Sequence, residues 1–299
     1  MNTISLDRSV RRFGRGAVQL NAPKGEFLSF DQIARLAPTV FATDRHESRS
    51  EKFQVIPTHQ LLGGLQKEGF VPVKVQVGGS SDTEKRAFTK HLIRFRRIND
   101  LTGAPKVGDS HPEVVLLNAH DGTSSYQLHA GLFRLVCLNG LTVSDANFGS
   151  VKVGHSGRGV LDKVIEGTYR VLDDAVQALE HAQELRSVDL SIDERRIFGE
   201  AALRLRYDEE SLPKIDGTEV VRARRQADVG SDLWLTFNRA QENLVRGGLN
   251  YRHVNEETRR VTYRDTRPVQ SADGDLKLNR AIWHLANEFA KLKGASLAA

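Results

Sequence analysis

The chain has 299 residues, a formal net charge of +5 and a single cysteine, Cys137. This length supports one large domain or two small ones, and such a chain can bury a core without covalent staples. One cysteine excludes an internal disulfide framework and a cysteine-based zinc site. No apolar run approaches the ~20 residues of a membrane helix, and no signal-peptide apolar segment follows the basic N-terminus. We therefore expect a cytoplasmic protein with no membrane association.

The N-terminal segment, residues 1–25, is basic, contains glycine and lacks hydrophobic periodicity, which predicts a flexible basic arm. A short helix is expected over 27–36 with Ser29 as its N-cap, followed by a polar loop over 42–52. Pro57 then opens a helix that ends at Glu68, just before Gly69.

Residues 26–190 are predicted to form an antiparallel sheet packed by one long helix. Alternating β-branched and apolar residues predict strands over 71–77, 86–98, 114–119 and 125–138, then short strands over 141–143 and 150–153. Asp121–Gly122 and Asn139–Gly140 are typical hairpin turns, because glycine accepts a positive φ. The spacing over 160–185 predicts an amphipathic helix. Its buried face is expected to include Leu161, Ile165, Leu172, Val176 and Leu179.

Residues 191–299 are predicted to be mostly helical and to pack on this core. Helices are expected over 193–205, 232–244 and 276–292, the last with an apolar stripe of Leu278, Ile282, Leu285 and Phe289. Residues 208–230 are charged, which favours an exposed excursion, and residues 250–270 are polar and basic. The predicted fold class is therefore α+β.

Positive charge is densest at the second predicted strand, where Phe88 and Phe95 are interleaved with six basic residues. Cations neutralise phosphates and aromatic rings stack on bases, so this pattern favours single-stranded nucleic acid. The alternative is a solvated edge strand that its cations protect against aggregation. Alternation places three of these cations on one face and the last on the other. The six are Lys85, Arg86, Lys90, Arg94, Arg96 and Arg97.

Two other segments are candidate binding sites. The small residues of 149–159 precede the long helix, where backbone N–H groups can hold phosphate with help from Lys152 and Arg158; a flexible connection explains them equally well. On the helix over 232–244, Arg239 and Arg246 lie two turns apart. They favour either nucleic-acid contact or buried polar packing against the sheet.

Enzyme signatures are sparse. The histidines are scattered without the spacing of a metal site, and no serine lies in a nucleophile elbow. These histidines are His111, His120, His129 and His155. We predict no catalytic residue, no metal and no cofactor. A metal-dependent hydrolase or nuclease built from separated acidic residues and histidines is the remaining enzyme alternative.

Two segments carry a family resemblance. They are 120–141, which contains Arg134, Cys137 and Asn139, and 234–248, which ends in Gly247 and Gly248. Together they resemble a family of phage/plasmid-like proteins of bacterial mobile elements, a domain of unknown function, over about residues 40–295. The order of antiparallel strands followed by a long helix is also similar to the core of single-strand annealing proteins of the Erf and Red-beta class. Those proteins form rings or filaments on single-stranded DNA.

These observations give two main hypotheses. The first is a nucleic-acid-binding protein of a phage or plasmid that binds and anneals single-stranded DNA as a homo-oligomer. The second is a partner-binding or inhibitory protein of a mobile element that acts on host machinery, in which case the basic hairpin is a protein-interaction surface.

Overall fold

The computed structural model describes residues 10–12, 16–23, 25–44, 57–102, 110–134, 139–142, 150–154, 159–255 and 257–294. The strands are β1 (Val10–Arg12), β2 (Val18–Asn21), β3 (Phe70–Val77), β4 (His91–Arg97), β5 (Ser110–Asn118), β6 (Tyr126–Arg134), β7 (Asn139–Thr142), β8 (Ser150–Val153), β9 (Asn250–Val254) and β10 (Val261–Asp265). The helices are α1 (Phe30–Leu36), α2 (Thr58–Lys67), α3 (Asn99–Thr102), α4 (Val160–Arg186), α5 (Ile192–Arg206), α6 (Gly217–Val220), α7 (Leu233–Arg246) and α8 (Ala272–Leu292). The α+β class is confirmed.

The main sheet is an antiparallel meander in the order β1-β2-β3-β4-β5-β6-β7, and β8 pairs with the other half of β6. The prediction of a flexible arm over residues 1–25 is wrong where β1 and β2 lie, because these two strands are hydrogen-bonded into the sheet. A second correction concerns Asn139–Gly140, which belongs to β7 instead of forming a turn. The predicted capping of α1 is confirmed, since Ser29 accepts from the backbone N–H of Gln32 and the Gln32 side chain accepts in return.

One face of the sheet is apolar and carries the core. Side chains alternate across a strand, so the row that runs through Val75, Ile93, Leu116 and Leu128 faces α2 and α4. Helix α4 approaches this row closely at Gly167. A Cβ there would lie 2.8 Å from Val151 Cγ1 and 2.9 Å from Leu128 Cδ1. Because Gly167 has no side chain, the backbone of α4 can pack this close to the sheet.

Helix α4 spans almost the predicted residues, and Leu161, Ile165 and Leu179 of its predicted buried face pack partly buried against the core. Leu172 is buried as expected, whereas Val176 is 45% exposed. The buried line instead passes through Val164, Val171 and Ala175. Small residues bring the helix backbone near the sheet, and this close approach selects the buried side among several apolar positions.

The opposite face of the sheet is polar, and the N-terminal half of α8 crosses it. Ala272 and Leu276 of α8 pack on an apolar patch formed by Leu92, Val115 and Leu117. Acidic residues in the first turn of α8 meet lysines of the sheet on either side of this patch. The same helix continues into the C-terminal part.

The C-terminal helices share the main core with the sheet. Trp283 of α8 stands edge-on to Trp234 and Phe237 of α7, with ring centroids 6.4 and 5.7 Å apart. Residues 208–230 do not form the expected exposed excursion, because Val220 and Val221 are buried in this core. No helix in the described ranges is long and apolar enough to cross a bilayer.

The orientation of α4 can be tested with two truncations. Leu172→Ala should lower the free energy of unfolding by roughly 2–5 kcal/mol, because it opens a cavity in the core. Val176→Ala should change it by less than about 0.5 kcal/mol, because the side chain is largely solvated. Urea denaturation of the two variants measures both values, and equal losses would contradict this helix orientation.

Candidate nucleic-acid interface

The structure separates the six cations of the predicted basic strand. β4 begins at His91, so Lys85 and Arg86 lie on a short 3-10 turn and not on a strand. Both are exposed. Lys85 lies 3.8 Å from Asp82, and Arg86 Nε donates to the carbonyl of Ser80 at 3.1 Å. These two cations therefore stay at the surface.

Arg94 and Arg96 are paired inside the protein. Arg94 is 1% exposed, and its Nη1 lies 3.1 Å from Glu113 Oε2 on the neighbouring strand β5. Arg96 Nε lies 2.6 Å from the other oxygen of the same carboxylate. Phe95, expected to stack on bases, is buried on the apolar face. The central part of the predicted binding strand is thus an internal ion triad, and Arg94 is not available for phosphate.

The last two cations of this group differ in their surroundings. Lys90 Nζ lies 2.7 Å from Asp273 at the start of α8. Arg97 is exposed and lies over the ring of Phe70, with its Cζ 5.6 Å from the ring centroid. Arg97 keeps its charge at the surface, whereas the charge of Lys90 is compensated.

The second candidate segment lies only partly in the described residues. Lys152 is exposed on β8, opposite Gln127 of β6. Arg158 and His155 lie outside the described residues.

The third candidate segment supplies a buried network instead of a surface. Arg134 pairs with Asp228 at 2.6 Å, and Arg225 joins Asp228, at 2.9 Å, to Glu242. Arg246 pairs with the same Glu242 at 2.8 Å. Two carboxylates thus connect the end of β6 to α7. The two segments that carry the family resemblance meet here, and the pairing supports the packing interpretation of α7.

Arg239 has a similar structural role. Its guanidinium donates to the carbonyl of Gly230 at 3.0 Å and to Thr236 Oγ1 at 2.9 Å. It is buried, so it contributes nothing to a surface that could meet a phosphate.

His120 belongs to a buried hydrogen-bonded cluster that the sequence did not indicate. Thr58 Oγ1 lies 3.0 Å from His91 Nε2, 3.2 Å from His120 Nε2 and 3.1 Å from Asn118 Nδ2. Thr39 Oγ1 donates to a backbone carbonyl at 2.7 Å and must therefore accept from His91 Nδ1 at 3.3 Å. The cluster fixes the start of α2 to β4 and β5.

His129 is in a different situation. It is 1% exposed on the polar face of the sheet, and neither ring nitrogen has a hydrogen-bond partner among the described residues. Burial, together with the charges of Arg280 and Lys152, lowers the pKa of its imidazole to about 4. His129 is therefore a neutral imidazole at neutral pH.

Strands β9 and β10 form a ribbon apart from the main sheet. It begins where α7 ends, at Gly247 and Gly248, whose φ values are 69° and 78°. A Cβ on Gly247 would lie 2.5 Å from the carbonyl oxygen of Thr266, so only glycine fits there. The Gly248 N–H donates to that same carbonyl at 2.8 Å, which closes the base of the ribbon.

One side of this ribbon combines a cation with an exposed aromatic ring. Arg252 is directly opposite Tyr263, which is 73% exposed, and Val261 beyond it is 43% exposed. On the other side Arg264 is opposite Tyr251. Within the described ranges the ribbon arginines pair with no carboxylate: Arg252, Arg259, Arg260 and Arg264. Sequence reasoning missed this surface, although alternation around the polar turn at 255–260 was a usable signal.

Comparison with known proteins places the chain in a family. Residues 45–283 match the model of "Domain of unknown function (DUF932)". The chain belongs to this DUF932 family. It is also 41% identical over 282 residues to the UPF0380 proteins YfjQ and YafZ of Escherichia coli strain K12, which covers 94% of this chain and 97% of each relative. No solved structure matches the chain.

Membership in DUF932 confirms that the chain belongs to a family of domains of unknown function, as the first resemblance implies, and an origin on a phage or plasmid stays a prediction. The matched range contains β3 to β8 of the main sheet, the ribbon and the Arg134–Asp228 network, together with most of α8, and leaves out β1 and β2. The similarity to annealing proteins stays a hypothesis about function.

The ion triad on β4 and β5 gives a stability prediction. Glu113→Gln should lower the free energy of unfolding by roughly 3–5 kcal/mol, because it leaves two arginines beside an uncharged amide, one of them fully buried. Chemical denaturation measures this loss. Glu200→Gln is the matched control, since it breaks an exposed pair with Arg196 of 2.6 Å and should cost about 0–1 kcal/mol. A small effect at Glu113 would contradict the assignment of the triad as a structural element.

Proposed function

We propose that this DUF932 protein binds single-stranded DNA through the β9–β10 ribbon and anneals it as a homo-oligomer, with no cofactor. The observation that supports this is the ribbon surface. Tyr263 is exposed beside Arg252, and the ribbon arginines pair with no carboxylate in the described part of the chain. Arginine neutralises the backbone, and a tyrosine ring offers a flat surface to a base.

The exposed ring favours a single strand over a duplex. Bases in a duplex already stack on their neighbours, whereas an unpaired base gains contact by stacking on tyrosine. Such stacking is worth roughly 1–3 kcal/mol per base and depends little on sequence. A protein that anneals strands needs this property, because it has to hold bases of any sequence extended and accessible.

The remaining surface cations form a second line of contact in this proposal. Lys85, Arg86, Arg97 and Lys152 are exposed. Arg94 is excluded by its internal pair with Glu113. The single-stranded DNA therefore contacts the ribbon and these outer cations, and it does not contact the centre of β4.

Substitutions in the ribbon test the proposal. Tyr263→Ala should weaken binding of a thymidine oligonucleotide by about 1–3 kcal/mol, while Tyr263→Phe keeps the ring and should bind nearly as the wild type does. Arg252→Ala, on the same side as Tyr263, should lower the slope of log affinity against log salt by about 0.7, for one lost phosphate contact. Fluorescence anisotropy at several salt concentrations measures both effects.

Control variants distinguish the effect of the ribbon substitutions from the effect of removing positive charge elsewhere on the surface. Arg204→Ala removes an exposed arginine that pairs with Glu209, and it should leave affinity and slope unchanged. A combined Lys85, Arg86 and Arg97 to alanine variant measures the contribution of the outer cations. Unchanged affinity and slope in folded ribbon variants would contradict the ribbon as the binding surface.

Assembly follows from the need to hold a long strand. A single ribbon contacts few nucleotides, and cooperative binding along the strand is usual for proteins of this kind. The main sheet ends at β1 on one side and at β7 and β8 on the other. Edge strands carry backbone groups suited to pairing with another copy, although exposed Arg11 and Arg12 on β1 disfavour random pairing.

The predicted assembly is a ring or filament of identical subunits in which neighbouring ribbons follow one strand. Multi-angle light scattering with and without single-stranded DNA should show a mass several times that of one chain. A monomer whose mass does not change when DNA is added would contradict annealing and favour the partner-binding hypothesis.

A further inference from the structure

The β9–β10 ribbon pairs with no further strand in the described part of the chain, so each of its strands has an outer edge. Two backbone hydrogen bonds show which groups point to that edge. The N–H of Asn255 donates to the carbonyl of Arg260 at 3.0 Å, and the N–H of Thr266 donates to the carbonyl of Leu249 at 2.9 Å. Hydrogen-bonded pairs alternate with non-hydrogen-bonded pairs along an antiparallel ladder. Counting along the ladder from either end gives the same alternation.

This alternation decides the outer edge of β10. Thr262 and Arg264 bond to β9, so the N–H and C=O groups of Val261, Tyr263 and Asp265 point away from it. All three outward residues are exposed. Valine and tyrosine favour extended strands, and an exposed edge of this kind is a template for pairing with another strand.

The edge of β10 is complementary to itself. When two copies lie antiparallel with Tyr263 opposite Tyr263, every outward group meets an outward group, and Thr262 of one copy is opposite Arg264 of the other. Sliding one copy by two residues places Arg264 opposite either Arg260 or the other Arg264. Like charges directly opposite each other are destabilising, so charge selects the register centred on Tyr263.

The edge of β9 lacks this complementarity. By the same alternation its outward residues are Asn250, Arg252 and Val254. The register that uses all of these groups places Arg252 opposite itself. Two copies are therefore better joined through β10 than through β9.

We propose that the protein pairs with a second copy of itself through β10, with Tyr263 on the two-fold axis. The two ribbons then form one four-stranded sheet, and each outward residue exchanges backbone hydrogen bonds with its opposite residue. The side that carries Arg252 and Tyr263 becomes continuous across both copies. The pairing needs no nucleic acid; the use of this joined side by a DNA strand rests on the proposed function.

Cysteine cross-linking of the full chain, without DNA, tests this register. Thr262 of one copy and Arg264 of the other form a non-hydrogen-bonded pair, whose Cα atoms lie about 4.5 Å apart, within the range of a disulfide. A mixture of Thr262→Cys and Arg264→Cys chains should give a disulfide-linked dimer on mild oxidation. Each variant alone, and the wild type with its Cys137, should give several-fold less. Non-reducing electrophoresis measures the dimer.

A proline on the edge tests whether backbone pairing holds the two copies together. Val261→Pro in both chains of the mixture removes an outward N–H, and β9 does not use that N–H. It should lose most of the cross-linked dimer. Val261→Thr is the matched control, because it keeps the N–H and the branched side chain, and it should retain the dimer.

The outcomes separate this pairing from DNA binding. Cross-linking that is strong only in the mixture, and that Val261→Pro removes, supports the pairing. Equal cross-linking in the mixture and in the single variants overturns it, as does no cross-linking in any sample or full retention with Val261→Pro. Because these samples contain no DNA, a ribbon that fails to bind an oligonucleotide leaves the result unchanged, and binding by Tyr263→Ala is measured separately.

Discussion

The polar face of the sheet has to be covered without burying an unpaired charge, and helix α8 satisfies this constraint. Its first turn places Asp273 beside Lys90 and Asp275 beside Lys74. Acidic residues also suit the positive end of a helix, so each carboxylate is stabilised twice. Further along, Trp283 packs among the aromatic residues of α7. One helix therefore fixes the C-terminal helices relative to the sheet, and the ribbon between α7 and α8 takes its position from both.

The same constraint decides which cations reach the solvent. A buried charge is costly unless a partner compensates it, and Arg94 and Arg134 each have a buried carboxylate beside them. Among the described residues, cations without such partners include Arg252 and Arg264 on the ribbon and Lys152 on β8. The number of basic residues therefore indicates a polyanionic partner only when the cations that are paired inside the protein are left out of the count. By this criterion Arg252 is a stronger candidate for phosphate contact than Arg94.

Local patterns in the sequence predicted most elements but not their partners. The strands and α4 follow from periodicity, because period and burial are local properties. The role of Arg94 was not predictable, since Glu113 lies 19 residues away and becomes a neighbour only through the register of β4 and β5. Val176 was wrongly assigned to the buried face of α4 for a related reason, because Val171 and Val176 are equally apolar and only the close approach at Gly167 separates them. The ribbon was missed because its short strands are mostly polar, so the alternation that places Val261 and Tyr263 on one side is a weak signal.

The two segments that resemble the family do not form the proposed binding surface, and their pairing explains why. In the network around Glu242, arginines pair with the carboxylates of both Asp228 and Glu242. These ion pairs therefore stabilise the packing of α7, and they are not available to a ligand. The network fixes α7 to β6, and α7 ends at Gly247, where the ribbon begins. Arg206 strengthens this junction by donating to the carbonyls of both Leu244 and Arg267. The motif residues therefore determine where the ribbon stands relative to the sheet, and the ribbon carries the surface available to a nucleic acid.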